Sequence, residues 1–444
     1  MEYIETIIWK GTSEYKKIIK NCGSSNIYPM AFIIIRHKKD IFTAIEWAIT
    51  HRFKFKIKSE KNNFENNLNF YKDCLIIDIQ KLNKLVFYDN NTIQIGAGVR
   101  IGDLANVVAK KGYMIPFGNN YDERSSFMLG GGIGLMQGYL GLMCDRIKSI
   151  DMIIFDKNKK GHLLKIDDTH YKNLFWACKG AGSGNFGIVI GYTLKLNIAP
   201  KIATTIKITW KFGAMKKILF AWQKFISTTH MTTSLQILNK SADAITLKGI
   251  WLGNQQEAIN IIKSMLICEY VLETNEVSFD KAVDSTLLKC AKSNNSYNKK
   301  TSSSFMRRFF TSTDVDTLKE FLKKTSGESE IYMLSWNGKI TKNKSNFSAF
   351  YWRSALCYIE WSVKWESVSN DDIDIINPDN NIIQVEKMRH KLRRSIVGSY
   401  VNVPDLMLNH SSELYYGKNY RKLREIKKIY DPCNLFKLPF GIGI

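Results

Sequence analysis

The 444-residue chain has only seven prolines, and no stretch in which proline, glycine and serine gather into a long linker. Its domains are therefore expected to pack closely against one another. No apolar run approaches the roughly 18 residues that a membrane span requires. The opening residues, Met1-Glu2-Tyr3-Ile4-Glu5, lack the basic and then apolar segments of a secretory signal. The cysteines, Cys22, Cys74, Cys144, Cys178, Cys268, Cys290, Cys357 and Cys433, form no C-x-x-C pair and no disulfide or zinc spacing. Several lie in apolar runs, as in Leu356-Cys357-Tyr358, and read as buried free thiols. No metal site is expected, because His37, His51, His162, His170 and His230 stand apart from one another. Together these absences predict a cytoplasmic protein in reducing surroundings.

Acid is scarce as well. Asp and Glu number 41 against 64 Lys and Arg, a net charge of +23 that suits an anionic partner such as nucleic acid, a glycan or a phosphorylated cofactor. The blander reading is a solvated basic surface in a chain rich in Lys, Asn and Ile. What the chain does have is apolar: a hydrophobic fraction of 45% fills a large core and excludes global disorder. The length accommodates two or three domains.

Residues 31–35, 74–79, 91–99, 149–156 and 186–196 read as short strands. Asp40 caps a helix with Ile41, Ala44, Ile45 and Ala48 on one face, and 101–111 read as another helix. Interleaved strands, helices and glycine turns predict an α+β cofactor-binding region. The texture changes near Pro200. Residues 204–212, 245–253, 331–340 and 356–365 read as strands, and 214–228 and 254–266 as helices, predicting an antiparallel sheet covered by helices on one face. Residues 292–304 and 366–381 read as polar loops. Lys387 to Arg394 read as a helix with Val385, Met388 and Leu392 on one face and solvated cations on the rest.

Four stretches, in order, resemble the flavin-binding fold of the berberine-bridge and sugar-oxidase group, the PCMH-type FAD-binding fold. They are Ile95-Gly96-Ala97-Gly98-Val99 with Gly102-Asp103-Leu104; Leu129-Gly130-Gly131-Gly132-Ile133-Gly134; Asn173 to Val189, which contains Leu174-Phe175-Trp176-Ala177 and Phe186-Gly187-Ile188-Val189; and Tyr415-Tyr416-Gly417-Lys418-Asn419 followed by Tyr430-Asp431-Pro432-Cys433-Asn434-Leu435-Phe436. Each alone is weak, but together they span about 400 residues in the right order. The resemblance implies an FAD-binding domain over 1–200, a substrate domain over 201–404, and a berberine-bridge-like segment, 405–444, returning to the first domain. It implies cofactor contacts at Lys58, Ser59, Gly130, Gly131, Gly132, Gly134, Gly187, Ile188, Val189 and Asn402. Glycine has its own physical reason here, since backbone N–H groups reach an anionic diphosphate only where no Cβ intervenes. A tight turn packing two elements is the competing reading. Phe175 and Trp176 read as core rather than as ring-stacking groups.

The chain also departs from the family pattern. The first phosphate loop, R-S-G-G-H-S-Y in the family, is Lys58-Ser59-Glu60-Lys61-Asn62-Asn63-Phe64. Asn62 replaces the histidine that links covalently to flavin. The stretch that supplies a linking cysteine in bicovalent members is Asn119 to Phe127, with Ser125 and Ser126 in place of glycines and Asp122 and Glu123 adding negative charge. FAD is therefore expected to be non-covalent or absent. Of the family's Y-x-N-Y, Tyr400 and Asn402 remain but Val403 replaces the final tyrosine, leaving Tyr400 as the one candidate proton acceptor, on a strand whose alternation turns it away from position 403. Three functions are compatible with these residues: an oxidase or dehydrogenase of an alcohol or sugar; a degenerate member serving as a scaffold, as a homo-oligomer or packaged in a particle; and a basic protein that binds nucleic acid or an anionic surface.

Overall fold

The structure, a computed structural model, describes residues 7–20, 29–59, 73–118, 120–239, 244–287, 297–366 and 378–444. Glu60, Lys61, Asn62, Asn119, Cys22 and Cys290 lie outside the described residues. Strands β1 (Ile7–Trp9), β2 (Ala31–Ile34), β3 (Phe55–Lys58) and β4 (Leu75–Asp78) form a sheet in the order β1-β2-β4-β3, with β2, β4 and β3 parallel. The crossover from β2 to β3 is the helix Lys38–Thr50, which buries Ile41, Ala44, Ile45 and Ala48 as their spacing predicts. Asp40 is not its first cap. The helix starts two residues earlier, and Asp40 reaches back to accept from the His37 backbone N–H at 2.8 Å. All four residues of β4 are buried, as expected of a parallel strand covered on both faces. Its one charge, Asp78, lies 3.9 Å from the ammonium of buried Lys58.

Strands β5 (Leu85–Tyr88), β6 (Thr92–Gly96), β8 (Ile147–Phe155), β9 (Gly161–Asp167) and β10 (Ile188–Lys195) form an antiparallel sheet in the order β5-β6-β10-β8-β9. Short β7 (Tyr113–Met114) pairs with β11 (Asn197–Ile198). The third sheet has eight antiparallel strands: β12 (Ile202–Lys211), β13 (Thr233–Leu238), β14 (Ala244–Trp251), β15 (Tyr270–Ser278), β16 (Tyr297–Met306), β17 (Glu328–Ser335), β18 (Cys357–Glu366) and β19 (Ile396–Val397). Their order is β15-β12-β14-β13-β17-β18-β16-β19. The helices Met215–Ile226, Ser312–Lys324 and Pro378–Leu392 bury Leu219, Leu318 and Met388 in one core with Ile359 and Trp361 of the sheet. Leu334 and Tyr358 point the other way, into the core shared with the first two sheets.

Two expected loops are regular structure. Residues 297–304 belong to β16, an inner strand paired with β18 and β19. Its serines pass as core residues because each hydroxyl is satisfied inside: Ser302 on Asp405 Oδ2 at 2.6 Å, Ser303 on the Ser399 hydroxyl at 3.2 Å and Ser304 on Gly398 O at 2.8 Å. Residues 378–381 open the helix Pro378–Leu392, where a leading proline loses no helical hydrogen bond. On that helix Val385, Met388 and Leu392 are buried as expected. Arg389 departs from the solvated reading: it lies 5.2 Å over the Trp361 ring and donates to Ser303 O and to Ser302 Oγ.

The C-terminal segment docks on the first region. Fully buried Lys427 donates to Asp431 Oδ2 at 2.5 Å, to Asn185 O at 2.5 Å and to Phe436 O at 2.8 Å. Tyr416 donates to Ala181 O at 3.1 Å, and Phe436 packs on Phe55 and Phe155. Phe175 is core, while Trp176 is half-buried and donates to Asn346 O.

Candidate flavin and active site

The glycine turn at 130–134 is wholly buried, and protein fills the space beside each Cα. A Cβ on Gly130 would fall 1.9 Å from Asn402 Oδ1, and one on Gly134 1.8 Å from Phe117 O. Gly131 and Gly132 take φ of +119° and +74°, which side-chain-bearing residues rarely adopt. Their N–H groups are already used, Gly131 on Met128 O at 3.0 Å and Gly132 on the Tyr400 hydroxyl at 3.1 Å. Gly134 donates to Gln137 Oε1 at 3.4 Å. The geometry is thus that of the packing turn, not of an open phosphate cradle. Gly187 likewise abuts Ile153 O, and Ile188 and Val189 are buried partners of Ile153 and Met152 in the ladder between β10 and β8.

Tyr400 is buried, and its hydroxyl accepts from Gly132 N–H and from Asn402 Nδ2 at 2.8 Å. Asn402 also donates to Phe127 O at 2.8 Å. Residues 398–404 are a turn rather than a strand, closed by Val403 N–H on Tyr400 O, so strand alternation does not orient Tyr400 against Val403. Burial pushes the Tyr400 hydroxyl far above its ordinary range. Tyr400 is thereby a brace between the late turn and the glycine turn.

At the C-terminal end of β3, Ser59 donates to the Ser126 hydroxyl at 3.1 Å, joining the two loops that the sequence places at the cofactor. Ser125 is turned inward onto Ala97 O at 2.8 Å. Asp122 does not stand alone as expected, since Arg100 lies 3.6 Å away. Glu123 points inward beside Gly118, and its charge raises the Tyr400 hydroxyl further. Arg124 donates to Gly98 O at 2.7 Å and to Gln80 Oε1 at 3.3 Å, while its buried Nε has no partner. Cys144 is buried, and desolvation drives its thiol far above the ordinary range, which suits neither nucleophile nor linkage.

The face of the large sheet turned from its helices carries a second polar group that sequence reasoning missed. Glu360 on β18 is half-buried and accepts from the Tyr358 hydroxyl at 2.8 Å. It sits opposite Tyr332 of β17 and Ser303 of β16. Burial raises its carboxyl above the ordinary glutamate range, with Lys299 opposing and Glu330 reinforcing the shift. The Tyr358 and Tyr400 rings meet edge to face with centroids 5.7 Å apart, linking Glu360 to the glycine turn. The signal was present: in Tyr358-Ile359-Glu360-Trp361-Ser362 every second residue is polar, so a glutamate shares the inward face with a tyrosine.

A family model for the FAD binding domain matches residues 29–159, and one described as berberine and berberine like matches residues 399–443. An FAD-linked oxidoreductase of Bacillus subtilis (strain 168), YvdP, is 30% identical over 445 residues, covering 98% of this chain and 97% of the relative. The chain belongs to the family of FAD-linked oxidoreductases. Its fold matches wild-type BBE-like 1 of Physcomitrella patens with a TM-score of 0.87, at 19% identity over 99% of this chain and 96% of that one. The carbohydrate oxidase from Microdochium nivale matches with a TM-score of 0.84, at 19% identity over 98% and 97%. The resemblance read from the motifs and the PCMH-type FAD-binding fold are borne out. No helix among the described residues of this oxidoreductase is long and apolar enough to cross a membrane.

The residues present fit an FAD by the chemistry of their donors rather than by glycine. Around the ends of β3 and β4 stand two serine hydroxyls, Ser59 and Ser126, and the guanidinium of Arg124, whose Nε is a buried donor without an acceptor. A diphosphate supplies acceptors for all three.

Proposed function

We propose that this protein oxidises an alcohol or sugar hydroxyl to a carbonyl with FAD held by contacts alone, and that Glu360 takes the hydroxyl proton. The observation that carries this reading is the half-buried Glu360 on the inward sheet face, hydrogen-bonded to Tyr358 and raised in pKa by burial. A carboxylate whose proton affinity is raised is a better acceptor at neutral pH than an ordinary one. Tyr358 holds its Oε2 and leaves Oε1 for a substrate hydroxyl. Bound FAD supplies the acceptor for the hydride that leaves the same carbon. The solved neighbour from Microdochium nivale, a carbohydrate oxidase, supports a polyhydroxylated substrate. The buried thiols Cys74, Cys144, Cys178 and Cys357, all unpaired, support a reducing, cytoplasmic setting.

Contacts alone must hold the flavin, because a carboxamide at position 62 and a deeply buried Cys144 give no nucleophile for a covalent bond. The test has two parts. Acid precipitation of the yellow protein should release all flavin to the supernatant; a flavin-bearing peptide in the pellet would refute non-covalent attachment. Anaerobic mixing with a panel of mono- and oligosaccharides and primary alcohols should bleach the flavin band. No bleaching by any member overturns the oxidase reading, and a protein that is colourless after incubation with FAD favours a scaffold.

A further inference from the structure

A cavity of about 280 Å³ opens where the chain leaves β4 and enters the helix Ile101–Lys110, lined in part by Gln80, Lys81, Asn83, Arg100, Asp103 and Arg124. Its charges divide into two groups. Arg100 is committed: its Nε donates to Asp103 Oδ2 at 2.7 Å, and Asp122 lies at 3.6 Å. Asp103 is doubly engaged, accepting also from the Tyr121 hydroxyl at 2.6 Å. Asp78, just behind, faces Lys58 and accepts from Gln80 N–H at 2.9 Å.

Arg124 and Lys81 are left over. No carboxylate comes within 4.0 Å of either among the described residues. The guanidinium of Arg124 meets only neutral acceptors, Gly98 O and Gln80 Oε1, and its Nε is buried without a partner. Burial first, and then the neighbouring Arg100, both disfavour its charge. A partly desolvated cation beside a second cation is costly unless an anion joins them. The cavity is much larger than one carboxylate group. Its donors, a planar guanidinium, a mobile ammonium and two carboxamides, suit an anion with several oxygens pointing in different directions.

We propose that this cavity is a phosphate-binding site, taking a mono- or diphosphate group on Arg124 and Lys81. The site stands on the cavity's own geometry and does not depend on the oxidase reading. The phosphate has two sources that share this chemistry: the diphosphate of the flavin dinucleotide, and a separate phosphorylated small molecule.

Calorimetric titration of the full chain with inorganic pyrophosphate, at constant ionic strength, tests the proposal. Saturable binding is expected, weakened at least tenfold in Arg124→Met and several-fold in Lys81→Gln. Absence of saturable binding, or equal affinity in the wild type and a folded Arg124→Met, overturns it. Should Arg124→Met fail to fold, Lys81→Gln decides, because Lys81 is exposed, and wild-type affinity in that variant also overturns the site. A second titration, on protein loaded with FAD, separates the sources. A rise in free flavin fluorescence on adding pyrophosphate assigns the site to the cofactor's diphosphate; binding with flavin retained assigns it to a separate phosphorylated ligand. Protein that takes up no flavin refutes the cofactor reading while leaving the pyrophosphate titration as the test of the site.

Discussion

Two faces of one strand carry different burdens. On β18, Cys357, Ile359, Trp361 and Val363 enter the apolar core under the helices, while Tyr358 and Glu360 point toward the glycine turn. Both faces are enclosed, so burial alone does not separate them. What separates them is polarity: one face removes hydrocarbon from water, and the other holds a hydrogen-bonded carboxyl at a raised pKa. A buried polar side chain on a sheet face that looks across to another domain is a candidate for chemistry. The contrast with Lys427 limits that rule. Lys427 is also buried, but all three of its protons are spent on Asp431, Asn185 and Phe436. It fastens the C-terminal segment, and Glu360 keeps an oxygen to spare.

Four variants test this division, from the largest expected effect to the smallest. Glu360→Gln keeps shape and removes the proton acceptor. Turnover with a hydroxyl substrate should fall roughly 10²–10⁴-fold with no loss of melting temperature at neutral pH. In the wild type the acid limb of kcat/KM should lie above the ordinary glutamate range, because burial raises this carboxyl. A wild-type pH profile and rate in the variant would remove Glu360 from the mechanism. The same shift has a sign for stability. The folded state binds the proton more tightly than the unfolded state, so this group's contribution is complete below the unfolded pKa and fades as pH rises through the folded one.

Lys427→Met leaves Asp431 buried without its cation and should cost about 3–5 kcal/mol of stability, measured by denaturant unfolding. A loss below about 1 kcal/mol would mean that the C-terminal segment is not pinned there. Trp361→Ala, one residue from Glu360 but on the other face, should cost about 3–5 kcal/mol through the cavity it leaves. It also strips the acceptor Val385 O of its indole partner at 3.0 Å. If any folded fraction turned over as slowly as Glu360→Gln, the two faces would not be separate in function. Ser303→Ala should cost about 1–3 kcal/mol by leaving partners of a buried hydroxyl unmatched. A neutral result there would show that β16 tolerates an apolar centre and that its serines are incidental.

Much was legible in the sequence because its signals are local. The period of 3.6 in the helix Lys38–Thr50, the period of 2 in β12 and β18, and the positions that require glycine at Gly131 and Gly132 are all imposed within a few residues. The order of the four motifs identified the flavin fold. The sequence also showed that Asn62 stands where a linking histidine would, which is a matter of residue type alone.

Other features depended on residues far apart in the chain. Whether Gly130 greets a ligand or a neighbour was decided by Asn402, which closes on it from 272 positions away. Whether the polar run 297–304 is loop or strand was decided by Asp405 and Ser399, which satisfy its serine hydroxyls. Asp122 was neutralised by Arg100, and Arg124 was left with neutral partners, by the crossing of two loops that no period in the sequence records. Local backbone preference is written residue by residue, but the free energy of a buried polar group depends on which partners surround it, and only the tertiary structure chooses them.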